Sequence, residues 1–477
     1  MRYFAFILLV LSITVAAGQK QGNIWFFGDH AGFDFNGGTP VQIGGGATQY
    51  VDCPSCHAEG SAVISDSSGT LLFYSDGAQV WNAQHTVMPN GSGLFSNASS
   101  TQSALILPRP YSSQLYYLFT VDDFHLNALQ NGFRYSIVDM CLDGGLGDIK
   151  DGQKNILITD SVAEKLAAVR HANGVDYWVV VHKWQSDAFH AYPLTVSGVG
   201  LPVVSYVGST HPTGMGGIGS SIGQMKISPD GTKLALVNGN STPSILEYFD
   251  FDAATGVVSN PVALTPNPTW MYYGVAFSPD NSKLYAGVTM NGNGVYQFDL
   301  TAGGGDPLAV AASMVQVAFN WNYLGLQLGP DGKIYVARSP FLNNTTLGVI
   351  HDPNLAGTAC NYQDAAITLV GSYASYSFPS FVDSYDYSTT QPDCVTLAVD
   401  EALAQDALVI NPVGDLLVLQ LPLNARTVAV HNAAGQCVRT FATAGAGGRF
   451  DVRELSPGMY VAVLDSDGRA TVRFVKE

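Results

Sequence analysis

The sequence predicts an all-β fold, a seven-bladed β-propeller followed by a small C-terminal β-sandwich of the immunoglobulin-like type. The first supporting observation is a hairpin that recurs at 227–234, 277–284 and 328–334, with an apolar strand on each side of a Pro-Asp-Gly or Pro-Asp-Asn turn. Proline presets the first corner of such a turn, aspartate caps its own backbone, and glycine or asparagine accepts a positive φ. The turn prolines at 229, 279 and 330 lie 50 and 51 residues apart, which fits one four-stranded blade.

The second observation is the composition. Only 12% of the 477 residues are charged, glycine and aromatic residues are frequent, and no segment keeps the 3.6-residue apolar period of a surface helix. The length is sufficient for one large repeat domain and a smaller one. A net charge of −17 disfavours nucleic-acid binding and docking on anionic lipid.

The third observation is that the repeat extends toward the N-terminus. Further apolar hairpins occur at 62–74, 104–119 and 167–181, which gives six in all. The apolar segment 378–382 lacks a return strand, and the strands in 23–43 lack an inner strand. We therefore expect a seventh blade built from both chain ends, which would remove the exposed edges of an open sheet.

The first eighteen residues have the form of a signal peptide. Arg2 precedes an apolar run at 4–15, which is too short to span a membrane as a mature helix, and small residues follow at 16–18. Cleavage is expected between Gly18 and Gln19. No later segment is long and apolar enough to cross a bilayer, so we expect an exported protein without a membrane-spanning segment.

These observations predict four segments along the chain. They are a signal peptide at 1–18, the propeller at 19–386, a polar, turn-rich linker at 387–400 and the sandwich at 401–477. The last segment contains short alternating strands over about seventy residues, which is small but within the range that folds alone.

The C-terminal segments resemble the type A sorting domain of bacterial type IX secretion cargo. The resemblance rests on Leu408-Val-Ile-Asn-Pro412, Val430-His-Asn-Ala-Ala-Gly-Gln436, Leu455-Ser-Pro-Gly-Met-Tyr460 and Arg473-Phe-Val-Lys476. It implies that the domain directs the protein through an outer-membrane translocon, that processing machinery removes it, and that the cargo is secreted or attached to the cell surface. The preceding part is similar to uncharacterised propeller segments of such surface proteins, a family without a settled activity.

Cys53-Pro-Ser-Cys56-His57 has the form of a c-type haem attachment site. It lies in a glycine-rich loop without a helix to present the histidine, so a short-loop disulfide between Cys53 and Cys56 is the favoured interpretation in an oxidising compartment. A metal site with His57 is a weaker alternative, because only three ligands are visible locally. We expect no cofactor.

Two glycine motifs overlap in one loop. Residues 214–219 fit the dinucleotide-binding fingerprint, and 219–223 fit the nucleophile elbow of hydrolases. Both motifs need a helix after the loop, whereas a strand follows here, so a loop between blades is the favoured interpretation. Acidic pairs such as Asp122 and Asp123, and the ten histidines, lack the spacing of known metal sites and are interpreted as turn and strand-face residues.

The candidate site is predicted from position. Residues just before each inner strand fall on the propeller face around the central channel, where closed β-arrays usually bind ligands. One segment per blade gives the candidate ligand-binding residues Glu59, Gln102, Lys165, Gln224, Trp270, Tyr272, Tyr273, Trp321, Tyr323 and Tyr376. Aromatic faces beside amide and carboxylate groups suit sugars and peptides, and the alternative is that these rings seal the space between blades.

Two classes of function remain open. The favoured one is a non-catalytic secreted or surface module that recognises extracellular glycan, peptide or matrix, because the sequence shows no assembled catalytic set. The alternative is a secreted polysaccharide-degrading enzyme, a lyase or hydrolase, which requires acids and bases with perturbed pKa values to converge in the mouth.

Overall fold

The computed structural model describes residues 19–48, 58–211, 221–239, 243–319, 323–338, 345–387, 414–419, 426–432, 436–443, 448–465 and 470–476. The chain divides into two compact units, residues 1–394 and 395–477, and this boundary falls inside the segment predicted as a linker. Nearly all regular structure is antiparallel β-sheet, as the sequence predicts. The helical pieces are short: α1 at Phe124–Asn127, α2 at Pro307–Ala312, and 3-10 turns at Asp143–Gly145, Ala302–Gly304 and Gly357–Cys360.

Within the described ranges, the first unit contains seven antiparallel sheets, named I to VII in chain order. Sheet I has three strands, β1 Ile24–Phe27, β2 Ala31–Asp34 and β3 Val41–Gln42. Sheet II has β4 Ala62–Ser65, β5 Leu71–Ser75, β6 Gln79–Asn82 and β7 Val87–Ser92. Sheet III has β8 Ala104–Pro108, β9 Leu115–Val121, β10 Phe133–Asp139, β11 Asp148–Ile149 and β12 Ile156–Thr159. Sheet IV has β13 Val162–Arg170, β14 Tyr177–Lys183, β15 Ala188–Thr195, β16 Gly198–Val199 and β17 Val203–Tyr206.

The remaining three sheets of this unit each have four strands in sequential order. Sheet V has β18 Met225–Ile227, β19 Lys233–Asn238, β20 Ile245–Asp252 and β21 Val257–Ala263. Sheet VI has β22 Met271–Phe277, β23 Lys283–Met290, β24 Gly294–Asp299 and β25 Val315–Phe319. Sheet VII has β26 Tyr323–Leu328, β27 Ile334–Arg338, β28 Thr346–Ile350 and β29 Tyr362–Thr368.

The three repeated turns form hairpins in the predicted places. The residues that flank them pair across the two strands: Ile227 with Leu234, Phe277 with Leu284, and Leu328 with Ile334. In the first turn, the Asp230 carboxylate accepts hydrogen bonds from the Ser228 hydroxyl and from the backbone N–H and hydroxyl of Thr232. Gly231 adopts φ 72°, a conformation that glycine reaches without a Cβ clash.

Apolar cores lie between consecutive sheets. One buried cluster joins sheets II to IV, a second joins IV and V, a third joins V and VI, and a fourth joins VI and VII. A further cluster combines Trp25 of sheet I with Tyr74 of sheet II and Tyr335 of sheet VII. The order of contacts is therefore closed, because the N-terminal sheet packs against both the second and the last.

The chain segment after sheet VII runs between these neighbours. Tyr373 and Asp29 exchange two backbone hydrogen bonds of 2.9 and 3.1 Å, and the N–H of Ser380 donates to the carbonyl of Ser61 at 2.8 Å. The sequence predicts an inner strand at 378–382, but the structure shows only an isolated parallel bridge there, between Pro379 and Ser61. Proline has no N–H to donate to a ladder, which limits strand pairing at this point.

The two ends of this unit meet. The Gln19 side chain accepts a hydrogen bond from the Tyr387 N–H and donates one of 3.1 Å to the Asp386 carboxylate. The hydroxyl of Tyr387 accepts a hydrogen bond of 3.0 Å from the N–H of Val382, and Arg170 forms a 3.5 Å ion pair with Asp386. The first and the last described residues of this unit are therefore joined directly.

The second unit contains two sheets. One pairs β30 Leu416–Val418 with β33 Arg449–Asp451, and the other has the order β32 Cys437–Ala442, β31 Thr427–Asn432, β34 Gly458–Asp465 and β35 Ala470–Lys476. Leu417 and Phe450 of the first sheet share one buried cluster with Val430 and Phe474 of the second. Across both units, none of the helices in the described ranges is long and apolar enough to cross a membrane.

Candidate functional site

Polar side chains come together where the first strands of sheets II, III, IV and VI begin and where β9 ends. We call this group the central cluster and define it by the residues Glu59, Thr101, Asp123, Glu164, Lys165 and Tyr273. Each is tied to at least one other by a hydrogen bond or by electrostatic interaction. The sequence predicts three of them, Glu59, Lys165 and Tyr273, and the structure brings these three into one region.

Glu164 is the hub of the central cluster. Its carboxylate accepts hydrogen bonds from the N–H and hydroxyl of Thr101 at 3.0 and 3.1 Å, from the N–H of Phe124 at 3.0 Å and from the Ser221 hydroxyl at 3.2 Å. Burial raises the pKa of Glu164, while the hydrogen bonds from Phe124 and Thr101 oppose this rise. These bonds use the acceptor capacity of the carboxylate, so its main role is to hold three chain segments together.

A β-bulge brings Glu164 and Lys165 into the same cluster. Val162 pairs with Lys183 and Leu166 with Val181, so β13 carries two extra residues between these pairs. Successive side chains in a regular strand point to opposite faces, and a bulge changes the direction of the side chains within it. The ammonium group of Lys165 donates to the carbonyl oxygens of residues 221 and 222, both at 2.9 Å.

The surroundings of Lys165 change its protonation. Burial lowers the pKa of Lys165 to about 7, although the charge of Glu164 acts in the opposite direction. The lysine therefore changes charge close to neutral pH, in contrast to an exposed lysine.

Glu59 is the half-buried acidic residue of the cluster. The hydroxyl of Tyr273 donates a hydrogen bond to its Oε2. Desolvation raises the pKa of Glu59 well above its usual range, the charges of Glu164 and Asp123 raise it further, and hydrogen bonds from Tyr273 and Thr101 lower it. The partly exposed ring of Tyr376 lies beside this pair, 5.8 Å from the Tyr273 ring between centroids.

Gln102 joins three sheets. Its Oε1 accepts hydrogen bonds from the N–H groups of Met225 at 2.8 Å and Leu166 at 3.3 Å, and its Nε2 donates to the Met225 carbonyl at 3.1 Å. Sheets III, IV and V are therefore connected through one buried amide.

Gln224 makes the equivalent connection on the other side. Its Oε1 accepts from the N–H groups of Val275 at 3.1 Å and Leu326 at 3.0 Å, and its Nε2 donates to the Ser377 hydroxyl at 2.9 Å. Both predicted glutamines thus contact inner strands of several sheets, and each fills its hydrogen bonds with protein partners.

A buried ion pair adds a further connection. Lys226 lies 3.5 Å from the Asp383 carboxylate and also donates to Gln327, whose amide donates to Asp383 at 2.8 Å. This network links sheets V and VII to the segment that follows sheet VII.

The other predicted aromatic residues pack within the sheets. The Trp270 ring lies 4.6 Å from that of Tyr296, while Tyr272 and Tyr323 are fully buried. These positions favour the alternative that the rings seal the space between sheets. Trp321 lies outside the described residues.

A histidine pair lies next to the cluster. The buried rings of His182 and His211 stack with centroids 3.8 Å apart and planes at 18°. Nδ1 of His182 and both ring nitrogens of His211 have no hydrogen-bond partner. Burial lowers the pKa of His182 to about 3 and that of His211 well below its usual range, and the charge of Lys165 lowers both further.

In the described ranges, no group of three or more His, Cys, Asp or Glu residues is arranged to hold a metal ion. Cys360 and Cys437 are free thiols, whereas Cys141 is not. The predicted disulfide of Cys53 and Cys56, the residue His57, the glycine motif at 214–219 and Gly18 lie outside the described residues.

The sequence did not predict Glu164 or His211. Glu164 and Lys165 are adjacent charged residues in the otherwise apolar stretch 162–169, and this pattern could have indicated both. His211 has no comparable signal, because its contact with His182 depends on how the chain returns after sheet IV.

Comparison with known proteins identifies the second unit. Residues 411–477 match the family of secretion system C-terminal sorting domains. The chain carries a type IX sorting tail. This tail marks a secreted or cell-surface protein and implies interaction with the secretion machinery.

No curated protein matches the sequence. Among solved structures, a protein from Lactobacillus plantarum is 13% identical, with a TM-score of 0.44 over 75% of this chain and 98% of that one. A putative 6-phosphogluconolactonase from Bacteroides uniformis is 11% identical, with a TM-score of 0.42 over 73% of this chain and 97% of that one. Both neighbours are β-propeller-like proteins.

Proposed function

We propose that the protein is an exported recognition module. Its first unit is a seven-bladed propeller, closed by the two chain ends, that binds an extracellular glycan, peptide or matrix polymer at the central cluster. Its second unit is an immunoglobulin-like sandwich that directs it to the type IX translocon. Seven sheets that pack in closed order support the propeller, and two sheets around one core support the sandwich.

One observation carries the binding proposal. Glu164, Gln102 and Gln224 are buried and bond to protein groups, whereas Glu59 is only half-buried and accepts a hydrogen bond from Tyr273. The partly exposed ring of Tyr376 lies next to it. A fixed carboxyl beside an aromatic ring provides both the polar and the apolar contact that a sugar or peptide ligand needs.

The test is binding of the secreted protein to an array of extracellular glycans and matrix peptides. Glu59→Ala and Tyr376→Ala should each lose retention on the array without a large change in melting temperature, because both side chains are partly exposed. Tyr111→Ala is a matched control, since this tyrosine is 80% exposed on a turn of sheet III. Unchanged binding by both site variants would refute the assignment of the site.

The raised pKa of Glu59 also supports the alternative, a secreted polysaccharide-degrading lyase or hydrolase. A carboxyl whose pKa is raised well above its usual range can serve as a general acid. Incubation with extracellular polysaccharides and measurement of new reducing or unsaturated ends separates the two functions. Turnover that Glu59→Gln abolishes would favour the enzyme, and retention without product would favour the recognition module.

A further inference from the structure

We propose that Lys226 and Gln327 form an intramolecular isopeptide bond, a covalent link between sheets V and VII, and that Asp383 acts as the acid and base in its formation. Lys226 lies in β18, Gln327 lies in β26, and Asp383 belongs to the segment that follows sheet VII. Gln327 is 101 positions from Lys226 and 56 positions from Asp383 in the sequence. Only the folded chain therefore brings the three side chains together.

The three side chains contact one another in pairs. The Lys226 ammonium donates a hydrogen bond to Oε1 of Gln327. One oxygen of Asp383, Oδ1, accepts a hydrogen bond of 2.8 Å from Nε2 of Gln327 and lies 3.5 Å from Nζ of Lys226. The oxygen that contacts the attacking nitrogen thus also contacts the nitrogen that leaves. A carboxylate in this position can carry a proton from one nitrogen to the other.

The orientation of the Gln327 amide suits attack by the lysine. Its Nε2 donates to two acceptors, Asp383 Oδ1 and the carbonyl of Leu328 at 3.0 Å, whereas its Oε1 faces the ammonium donor. Reversing the amide would place its NH₂ group against the ammonium, where neither can accept. The amide carbon is bonded to Oε1, so Nζ lies about one bond length beyond hydrogen-bond distance from this carbon. The fold therefore holds nucleophile and electrophile next to each other.

Burial favours the reactive form of the lysine. Lys226 and Asp383 are only 3% and 9% exposed, and Gln327 is fully buried. Because two charges are costly to remove from water, burial favours transfer of a proton from the ammonium to the carboxylate, which leaves a neutral amine and a neutral acid. The neutral amine is the nucleophilic form of lysine. Exclusion of water also suppresses hydrolysis of the amide as a competing reaction.

The reaction balances without an oxidant or a further reactant. Asp383 takes one proton from the Lys226 ammonium, and the Nζ lone pair forms a bond to Cδ of Gln327. The carboxyl group then gives its proton to Nε2 and takes a second proton from Nζ. The bond between Cδ and Nε2 breaks, and the nitrogen leaves as ammonia. Ammonia takes up the proton that remains on Asp383 and departs as ammonium, so the carboxylate is restored.

The experiment is tryptic digestion of the denatured, secreted protein, followed by mass spectrometry. Trypsin does not cleave after an acylated lysine, so residues 184–233 should remain in one piece and should be joined to residues 284–333. The joined species should weigh one ammonia less than the two peptides together. Asp383→Ala removes the proton carrier and Gln327→Leu removes the amide carbon, so trypsin should cleave both variants after Lys226.

Lys283 is the internal control, because this buried lysine also forms an ion pair, 3.2 Å from Asp299, and its hydrogen bond goes to the Ser282 hydroxyl. Trypsin should cleave after Lys283 in every protein. If neither variant folds, the wild-type chain still provides the test: refolding from inclusion bodies dissolved in urea should release one ammonia per chain. Cleavage of the folded wild type after Lys226, or a bond from Lys226 to Asp383 formed with loss of water, would overturn the proposal.

Discussion

The buried His182 is expected to make the folded protein less stable in acid. A single substitution at this position should remove that part of the pH dependence. Burial lowers the pKa of His182 to about 3, against an ordinary value of 6.5. The unfolded chain therefore binds a proton at His182 below pH 6.5, whereas the folded protein does not until about pH 3. The contribution of neutral His182 to the free energy of unfolding is therefore complete above pH 6.5. It is lost as the pH falls from 6.5 to about 3.

The size of the effect follows from the difference in pKa. Each unit corresponds to about 1.36 kcal/mol, so the folded protein should lose about 2 kcal/mol from this group by pH 5 and about 4 kcal/mol by pH 3, where the folded group is half protonated. His182→Phe removes the titration and keeps an aromatic ring beside Phe189, whose ring contacts that of His182 at 4.6 Å. It also removes the unpartnered Nδ1.

The assay is denaturant unfolding followed by tryptophan fluorescence at pH 7.5, 6, 5 and 4. The free energy of unfolding of the wild type minus that of His182→Phe should decrease by about 2 kcal/mol between pH 7.5 and 5. Lys165 and His190, whose charges act on His182, and His211, whose ring stacks on it, are present in both proteins. Tyr111→Phe, at a tyrosine that is 80% exposed, should show no such change. A difference that is flat with pH would refute the reasoning.

Four further outcomes are expected. Gln224→Leu should lower the free energy of unfolding by about 3 kcal/mol, because buried N–H groups of two sheets lose their acceptor; an unchanged denaturation midpoint would contradict this. Asp383→Ala should lower the free energy of unfolding by roughly 3 to 5 kcal/mol, because the buried Lys226 loses its ion-pair partner. Asp386→Ala removes an exposed ion-pair partner and should lower it by less than about 1 kcal/mol. Trp270→Ala should cost about 3 kcal/mol in the same assay, because its ring packs on the core of sheet VI. Removal of residues 395–477 should leave the first unit folded but retained in the periplasm, as measured by cell fractionation; normal surface delivery would refute a sorting role.

The repeated hairpins could be predicted from sequence because their determinants are local. Each Ser-Pro-Asp turn contains the corner proline, the capping carboxylate and the residue with positive φ within a few positions of one another. The strands that flank these turns pair in the expected register. The prediction of an inner strand at 378–382 was wrong, because the structure has only an isolated bridge there. Its pairing depends on a contact with Ser61, which is several hundred residues away in sequence, and on contacts with sheet VII, which is roughly fifty residues away.

The candidate site was predictable only in part. The rule that candidate residues lie just before an inner strand selected Glu59 and Lys165. The same rule also selected Gln102, whose amide connects strands, and it gave no means of distinguishing the two kinds of residue. A two-residue bulge in β13 decides that Glu164 joins the same cluster, and such a shift in register leaves no reliable pattern of alternation. Whether an aromatic residue such as Tyr323 faces a core or a mouth is likewise set by packing between sheets.

The junction between Gln19 and Tyr387 has a consequence for the time course of folding. These residues are 368 positions apart, so their contact closes the longest loop in the unit, and loop closure of this kind comes at an entropic cost that no local contact offsets. Sheets II to VII are each made from neighbouring segments and can form early. Sheet I cannot pack on both sides until residues 373–387 have arrived. We therefore expect sheet I to be the last sheet of the unit to become fully protected from hydrogen exchange, after the whole unit has emerged.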